Sequence, residues 1–399
     1  MAPIALLPFL ILNLAVATAA PPLRPRFYEK TCPEAEHLVR DVIKKNMERE
    51  PRSAASVNRL QFHDCFVNGC DGSLLLDDTS NMLGEKLSLS NINSLRSYEV
   101  IDEAKETLEG VCPGVVSCAD ILIMAARDAV VLSGGPDWEV KLGRQDSLTA
   151  SQKDADDIMP SPRANASYLI DLFRKFNLSA KDLVALSGSH SIGKGRCFSI
   201  VFRLYNQSGT GRPDPAIDPI FRENLDKLCP RGGDGNVTGG LDATPERFDN
   251  QYFKDLMNGR GFLNSDQTLF TYPKTRQYVR LFARNRDEFL KAFVEGMIKL
   301  GRCSVFATPI AMVLGGGWVA MVMVLLDLVV SMIFMSDSSG RSLLLGWVLL
   351  DLTMDLMFVD LALSWWDGFG SAFDDGGSDG HGNDDGSLSV VVIKKKCVI

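Results

Sequence analysis

Apolar residues recur every three or four positions along the middle of the chain, which is the period of an amphipathic α-helix. Gly, Pro, Asp and Asn fill the stretches between these segments, as is typical of connecting loops. No regular strands alternate with the helical segments, and this argues against a doubly wound sheet. The pattern predicts a mostly α-helical protein with helices that include Glu34–Met47, Ser97–Leu108, Ala119–Leu132, Ala166–Phe176 and Glu288–Leu300.

The start of the chain departs from this helical pattern. An apolar run, Ile4–Val16, leads into small residues, which is typical of a secretory signal peptide over residues 1–20. A membrane anchor is the alternative, but the run is short for one. Secretion would make disulfides the default state of the cysteines. It would also allow N-glycosylation at the four N-x-S/T sequons, Asn165, Asn177, Asn206 and Asn236.

The end of the chain also differs, beginning after Gly301. Residues 302–399 hold 5 Lys/Arg and 11 Asp but no Glu, Gln or Tyr. Glycines interrupt the uncharged stretch Cys303–Leu326, and the second apolar stretch, Ser342–Trp366, contains three Asp, each costly in lipid. We therefore expect a boundary near residue 301. We interpret 302–399 as an atypical tail translated from a mis-spliced or retained intron, with a membrane tether or an accessory segment as alternatives.

Charge and cysteine content narrow the classes of function. The 399 residues include 42 basic and 50 acidic ones, for a net charge of −8. An acidic balance argues against a general nucleic-acid binder, which would normally carry a basic surplus. The spacing of the nine cysteines fits no zinc ribbon, so an oxidising compartment is the better explanation of their number.

The first cluster of reactive residue types runs from Arg59 to Ser73. On a helix, Arg59 and His63 are one turn apart and project from the same face. A cation beside a neutral imidazole suits a site where a proton is removed and negative charge then develops. The alternative is the end of a helix that merely happens to contain a histidine.

The loop after His63 is rich in oxygen ligands. Asp64, Asp71 and Ser73 offer side-chain oxygens, and Val67 and Gly69 offer carbonyl groups between them. Hard oxygen ligands in a glycine-bearing turn favour Ca²⁺, although the acidic spacing is not that of an EF-hand. A solvated acidic turn is the alternative.

A second histidine, His190, follows the apolar segment Leu183–Leu186 and has only small neighbours. Small neighbours would let a flat cofactor approach the imidazole closely. A core histidine with satisfied hydrogen bonds is the commoner situation, so the residues alone leave both interpretations open.

Taken in order, these segments resemble the secreted plant haem peroxidases of class III. The motifs that carry the resemblance are R-L-Q-F-H-D-C-F-V-N-G-C-D-G-S, V-S-C-A-D-I-L, A-A-R-D-A-V, V-K-L-G-R-Q-D-S, A-L-S-G-S-H-S-I-G-K-G-R-C and F-D-N-Q-Y-F. The resemblance covers residues 24–301. It implies a mostly helical, two-lobed domain that holds one haem b between a distal and a proximal lobe.

On the distal side, the resemblance implies an acid–base role for His63 and a charge-stabilising role for Arg59. His63 would take a proton from hydrogen peroxide and pass it to the leaving oxygen, while Arg59 would stabilise the developing negative charge. Asn91 matches the family asparagine whose carbonyl oxygen fixes the tautomer of the histidine. Pro160 matches a proline at the exposed haem edge, where the donor binds.

On the proximal side, the resemblance implies that His190 is the iron ligand. Its partner would be Asp266, in a G-x-x-x-S-D-Q run, and their hydrogen bond would make the imidazole more electron-rich. Taken alone, Asp266 could equally be a turn residue.

The resemblance also implies two calcium ions per chain. The distal ion would bind Asp64, Val67, Gly69, Asp71 and Ser73, and the proximal ion would bind Ser191, Asp242, Thr244 and Asp249. In the family the first Asp and the Thr of the proximal set are three residues apart, whereas Asp242 and Thr244 are two apart.

Three of the four family disulfides match cysteines of this chain, as Cys32–Cys112, Cys65–Cys70 and Cys197–Cys229. The fourth would join Cys118 to a cysteine near the C-terminus. Because the family pattern is lost after Gly301, we expect Cys118 to lack its partner. Cys303 and Cys397 are the tail cysteines that could substitute.

The resulting hypothesis is a secreted peroxidase that reduces hydrogen peroxide and oxidises small phenolic donors in one-electron steps. We expect a monomer in the extracellular space or cell wall, with the vacuole as an alternative, and no nucleic-acid partner. Membrane contact through the tail is the less favoured option. The rival hypothesis is a secreted calcium- and haem-binding glycoprotein that is inactive because its C-terminus is altered.

Overall fold

Helices dominate the part of the chain that the computed structural model describes, residues 22–302 and Cys397. That part has one sheet, in which β1 (Lys194–Arg196) pairs antiparallel with β2 (Thr238–Gly240). The expected mostly helical fold is confirmed. The helices of this part are α1 Ala35–Arg49, α2 Ser53–Phe66, α3 Tyr98–Val111, α4 Cys118–Leu132, α5 Gln152–Ile158, α6 Ala166–Arg174, α7 Ala180–Ser187, α8 Val201–Tyr205, α9 Pro219–Leu228, α10 Gln251–Met257, α11 Asn264–Thr271, α12 Pro273–Arg284 and α13 Arg286–Leu300.

The five helices predicted from hydrophobic periodicity are all present, as α1, α3, α4, α6 and α13. In α1, for example, Val39, Val42 and Ile43 are buried while most other positions remain in contact with solvent. Burial of one apolar stripe is what produces the three-to-four-residue spacing in the sequence.

Helix α2 is different because it is buried on nearly all sides. Leu60, Gln61 and Phe66 are almost inaccessible to solvent although they point in different directions around the helix. α2 packs along α4, which is buried over most of its own length. This central position carries the polar side chains of Arg59 and His63 into the protein interior.

The helices form two groups around a shared core. Helices α1–α4 pack on one another, and α6, α7 and α10–α13 form the second group. The groups meet where α2 contacts α13 and a 3₁₀ turn, Gly188–Ser191. His63 lies on α2 and His190 on this turn, so each lobe contributes one histidine close to the junction.

Small residues near His190 make room for a neighbouring helix. A β-carbon at Gly188 would come within 2.4 Å of the Phe289 ring on α13, and one at Gly296 would come within 3.0 Å of Leu186. We expected small neighbours to admit a cofactor, but the small size of Gly188 serves the packing of α7 on α13. This packing fixes the end of α7 from which the His190 turn begins.

The disulfides Cys32–Cys112, Cys65–Cys70 and Cys197–Cys229 are present in the structure. The expectation that Cys118 lacks a partner is wrong, because Cys118 is joined to Cys397. Cys397 is buried, and its backbone N–H donates a hydrogen bond to Asp102 on α3 (3.2 Å). The pairing spans 279 residues, a separation at which local sequence context gives no signal.

Among residues 22–302, no helix is long and apolar enough to cross a membrane. The predicted signal peptide and the tail, apart from Arg302 and Cys397, lie outside the described residues.

Candidate active site

His63 is buried on α2 and is held by Asn91. Its Nδ1 lies 2.7 Å from Asn91 Oδ1. The Asn91 amide is itself oriented, because its Nδ2 donates to the Glu85 carbonyl oxygen (2.9 Å) and Ser90 Oγ donates to Oδ1. Since Oδ1 can only accept, Nδ1 must carry the proton, and Nε2 is left with its lone pair.

The surroundings of His63 favour its neutral form. Burial lowers the pKa of His63 well below its usual value, and the positive charge of Arg59 lowers it further. The hydrogen bond to Asn91 acts in the opposite direction but does not outweigh these effects. His63 is therefore able to accept a proton at neutral pH.

Arg59 lies one helical turn before His63 and is fixed by two serines. Its Nη1 donates to Ser94 Oγ (2.8 Å) and to the Ser94 carbonyl oxygen (3.2 Å), and its Nη2 donates to the Ser90 carbonyl oxygen (3.1 Å). Burial lowers the pKa of Arg59 to about 10, so the guanidinium stays charged at neutral pH. Neither Ser90 nor Ser94 was predicted from the sequence, although they lie one and three residues from Asn91.

Two further cations lie within electrostatic range of Arg59. The charges of Arg196 and Arg52 both contribute to lowering the pKa of Arg59. Arg196 Nη1 donates to the Asn93 carbonyl oxygen (2.6 Å), and Arg52 Nη2 donates to the Lys194 carbonyl oxygen (3.4 Å), so both are tied to this region. Three neighbouring guanidinium groups repel one another and fit an anionic group, such as the carboxylates of a haem.

His190 is held from the other lobe by Asp266. Its Nδ1 lies 2.9 Å from Asp266 Oδ1, and a carboxylate oxygen only accepts, so Nδ1 carries the proton and Nε2 is available as a metal ligand. The His190 side chain remains 34% exposed, whereas that of Asp266 is 2% exposed. This fits a ligand that faces an open space and a partner that is sealed behind it.

Tyr252 is a third member of this proximal group. Its hydroxyl group donates to Asp266 Oδ1 (2.9 Å), and its ring lies edge-on to the His190 ring with centroids 6.1 Å apart. Burial, together with the negative charge of Asp266, raises the pKa of Tyr252 well above its usual value, so the phenol remains a donor. Tyr252 belongs to the F-D-N-Q-Y-F motif, but no role was predicted for it from the sequence.

Most of the oxygen-rich loop after His63 is buried. Both carboxylate oxygens of Asp64 and the hydroxyl group of Ser73 are buried without a hydrogen-bond partner among the described residues. Burial, and then the charge of Asp71, raises the pKa of Asp64 well above its usual value. Such unpartnered buried oxygens fit a hard cation such as Ca²⁺.

The loop geometry around these oxygens is consistent with that fit. Gly69 adopts a positive φ of 103°, and its carbonyl group accepts the N–H of Asp71 (3.0 Å). The disulfide between Cys65 and Cys70 closes the turn that contains Val67 and Gly69. The expected distal ligands thus lie on one short, constrained segment.

The expected proximal calcium residues are also brought together. Thr244 Oγ1 lies 3.4 Å from Asp242 Oδ2 and 3.2 Å from Asp249 Oδ1, and Ser191 Oγ accepts the N–H of Asp249 (2.8 Å). Asp242 and Thr244 thus lie close together although they are two residues apart rather than three. Ser191 Oγ also donates to the Arg247 carbonyl oxygen (3.1 Å), an oxygen that the sequence analysis missed.

Pro160 and the sequons lie outside these clusters. Pro160 is half-buried in the loop between α5 and α6, and this loop is tied to α11 by the Ser265 N–H and the Pro162 carbonyl group (3.0 Å). The asparagines of the four sequons, Asn165, Asn177, Asn206 and Asn236, are all exposed.

Comparison with known proteins agrees with this geometry. The peroxidase family model matches residues 39–285, which contain both histidines and their acceptors. Peroxidase 17 of Arabidopsis thaliana is 73% identical over 299 residues, which make up 74% of this chain and 91% of that protein. Peroxidase 15 of Arabidopsis thaliana is 48% identical over 284 residues (71% and 84%). Peroxidase 4 of Vitis vinifera is 46% identical over 294 residues (73% and 89%).

Proposed function

This chain belongs to the peroxidase family, and we propose that it uses hydrogen peroxide to oxidise small phenolic donors, with one haem b and two Ca²⁺ per chain. The observation that carries this proposal is the pair of histidines from opposite lobes, each with its tautomer fixed by a different acceptor. One imidazole is neutral and buried beside a guanidinium, and the other is backed by a carboxylate. These are the requirements of a proton acceptor and of an electron-rich metal ligand, respectively.

The described residues fit a haem. His190 Nε2 would bind the iron, and Arg52 and Arg196 would offset the negative charge of the haem carboxylates, which leaves Arg59 for the peroxide. A bound haem supplies the redox chemistry, in which peroxide takes up two electrons and each phenolic donor later gives up one.

His63 and Arg59 would carry out the steps that the chain itself performs on peroxide. His63 Nε2 accepts a proton from one peroxide oxygen and delivers it to the other, which leaves as water. Arg59 stabilises the negative charge on the leaving oxygen before that proton arrives. Two phenolic donors then each lose one electron and one proton, so that one peroxide and two donors yield two waters and two phenoxyl radicals.

Calcium would stabilise the C-terminal end of α2, the helix that carries His63. Asp64 adjoins His63, and neither of its carboxylate oxygens has a hydrogen-bond partner among the described residues, so a bound cation would compensate its charge and hold the end of α2. Removal of Ca²⁺ with excess chelator, confirmed by metal analysis, should lower both the thermal stability and the rate of reaction with peroxide. Unchanged stability in the metal-free protein would contradict the calcium proposal.

We further propose that the mature protein is a secreted glycoprotein that begins after residue 20. The apolar leader and the exposed asparagines of the four sequons support this. Residues 24–301 would form the catalytic domain, and the phenolic donor would bind near Pro160. We also propose that the tail, 302–399, is translated from a mis-spliced or retained intron.

An absorption spectrum of the purified protein tests the proposed function. We expect a ferric haem with a strong Soret band that shifts on addition of one equivalent of peroxide and returns when a phenol is added. A protein that binds haem but shows no spectral change with peroxide would instead be the non-catalytic haem- and calcium-binding glycoprotein.

A further inference from the structure

Tyr252 is a buried residue next to the proximal histidine that has no part in the reaction steps described above. Its hydroxyl group and His190 Nδ1 both donate to Asp266 Oδ1, each at 2.9 Å. The other oxygen, Oδ2, is buried and has no hydrogen-bond partner among the described residues. Two donors therefore share one carboxylate oxygen while the other oxygen accepts from neither.

The packing around Tyr252 holds it in this position. Tyr252 is 1% exposed, and its ring lies edge-on to both His190 and Phe253, with ring centroids 6.1 and 5.0 Å apart. Tyr252 is the second residue of α10, which packs against α11, the helix that carries Asp266. The shared oxygen is thus a fixed feature of how these two helices meet.

A second donor changes what the carboxylate does to the imidazole. A hydrogen bond from a phenol draws electron density from the oxygen that accepts it, so this oxygen attracts the Nδ1 proton of His190 less strongly. A weaker attraction leaves the imidazole a poorer electron donor at Nε2. Hydrogen bonds to the partner of a haem ligand are one of the means by which proteins set the reduction potential of the iron.

We propose that Tyr252 is a positioning residue that limits how strongly Asp266 polarises His190 and thereby sets the reduction potential of the haem iron. The inference rests on the proposed function, in which His190 Nε2 binds that iron.

The test compares the full-length, haem-loaded protein with its Tyr252→Phe variant, which keeps the ring and removes only the hydroxyl group. We expect the Fe–His stretching frequency of the ferrous protein, measured by resonance Raman spectroscopy, to rise. At a fixed applied potential, the ferrous-to-ferric ratio should fall about threefold. This corresponds to a reduction potential lower by about 28 mV, at 59 mV per tenfold change for one electron. Incorporation of 3-fluorotyrosine at position 252, a stronger donor of similar shape, should shift both quantities in the opposite direction.

Tyr28→Phe is the matched control, because Tyr28 also donates to a buried carboxylate, that of Asp120 (2.8 Å), but does not contact His190 or Asp266. It should leave the frequency and the potential unchanged. In an Asp266→Asn background, Tyr252→Phe should have little further effect, since the shared carboxylate is gone.

Unchanged values in Tyr252→Phe, or shifts of the opposite sign, would overturn the proposal. An effect that persists in full when Asp266 is already replaced would also overturn it, because the hydroxyl would then act through packing alone. An Fe–His band that survives His190→Ala would overturn the proposed function itself, and this outcome is distinct from the other two.

Discussion

The two histidines of the site are held in the same way by acceptors of different charge. On the distal side, Nδ1 of His63 faces the neutral amide oxygen of Asn91 at 2.7 Å. On the proximal side, Nδ1 of His190 faces the carboxylate oxygen of Asp266 at 2.9 Å. In both cases the acceptor fixes the proton on Nδ1 and leaves the lone pair on Nε2.

The charge of the acceptor decides what that lone pair is suited to do. An amide fixes the tautomer without adding a negative charge, so burial and Arg59 can keep the pKa of His63 well below its usual value. A carboxylate adds electron density to the ring, which suits a ligand to iron. One fold can therefore use the same side chain as a base in one lobe and as a ligand in the other.

The largest expected effect comes from removing the distal imidazole. His63→Ala should slow the reaction with peroxide by roughly 10²–10⁴-fold, the usual contribution of general acid–base catalysis, while haem stays bound through His190. Stopped-flow absorbance at the Soret band measures the rate. His37→Ala is the control, because the His37 side chain is 73% exposed on α1.

His190→Ala should have the contrasting effect of weakening haem retention. Haem loss to an acceptor such as apomyoglobin measures this separately from the rate. If His63→Ala lost its haem while His190→Ala kept it, the distal and proximal assignments would be reversed.

The next effect comes from making the proximal acceptor neutral. Asp266→Asn should reduce the rate of reaction with peroxide by roughly 10–100-fold, which is the typical cost of losing a residue that supports a metal ligand. The Fe–His stretching frequency should fall at the same time, because the ring loses electron density. A rate equal to that of the unmodified protein would show that the charge of the acceptor is unimportant on this side.

The converse exchange, Asn91→Asp, tests the distal half of the comparison. A carboxylate next to Nδ1 stabilises the imidazolium, so the pKa of His63 should rise, by roughly 1–3 units. His63 acts as a base only when neutral, so activity should be lost at a higher pH as the solution is acidified. The acid limb of the pH–rate profile should move upward while the rate at high pH changes little. An acid limb that stays in place would mean that another group controls it.

Much of the fold and part of this site could be predicted from the sequence. Amphipathic helices such as α1 and α3 were evident because only one face of each is buried. Periodicity could not reveal α2, which is buried on nearly all sides, and only the Arg59–His63 spacing suggested a helix there. The central residues of the site were identified because their motifs are dense and distinctive.

The residues that were missed act through contacts remote in sequence. Ser90 and Ser94 hold Arg59 across 31 and 35 residues, and they do so largely through backbone oxygens, which every residue type possesses. Tyr252 reaches Asp266 from a neighbouring helix. Nothing in the local pattern distinguishes Ser90 and Ser94 from ordinary loop serines, and the motif that contains Tyr252 does not reveal which residue its hydroxyl group contacts.

The effect expected to be smallest on turnover concerns the disulfide that closes the distal lobe. Cys118 is the first residue of α4, the helix that packs along α2. Its bridge to Cys397 therefore secures the lobe that holds His63. Cys397→Ser should lower the free energy of unfolding by about 2–5 kcal/mol and leave the rate at room temperature nearly unchanged. Denaturant unfolding provides the measurement.

The double variant Cys118→Ser/Cys397→Ser should be no less stable than Cys397→Ser, because both variants lose the same disulfide bond. Cys303→Ser should leave the free energy of unfolding unchanged, and a loss of stability in this variant would favour Cys303 as the partner of Cys118.

Peptide mapping of the protein from its natural source adds the decisive comparison for the tail. A Cys118–Cys397 peptide together with abundant peptides from 342–366 would contradict the intron interpretation, whereas a short terminus bridged to Cys118 would support it.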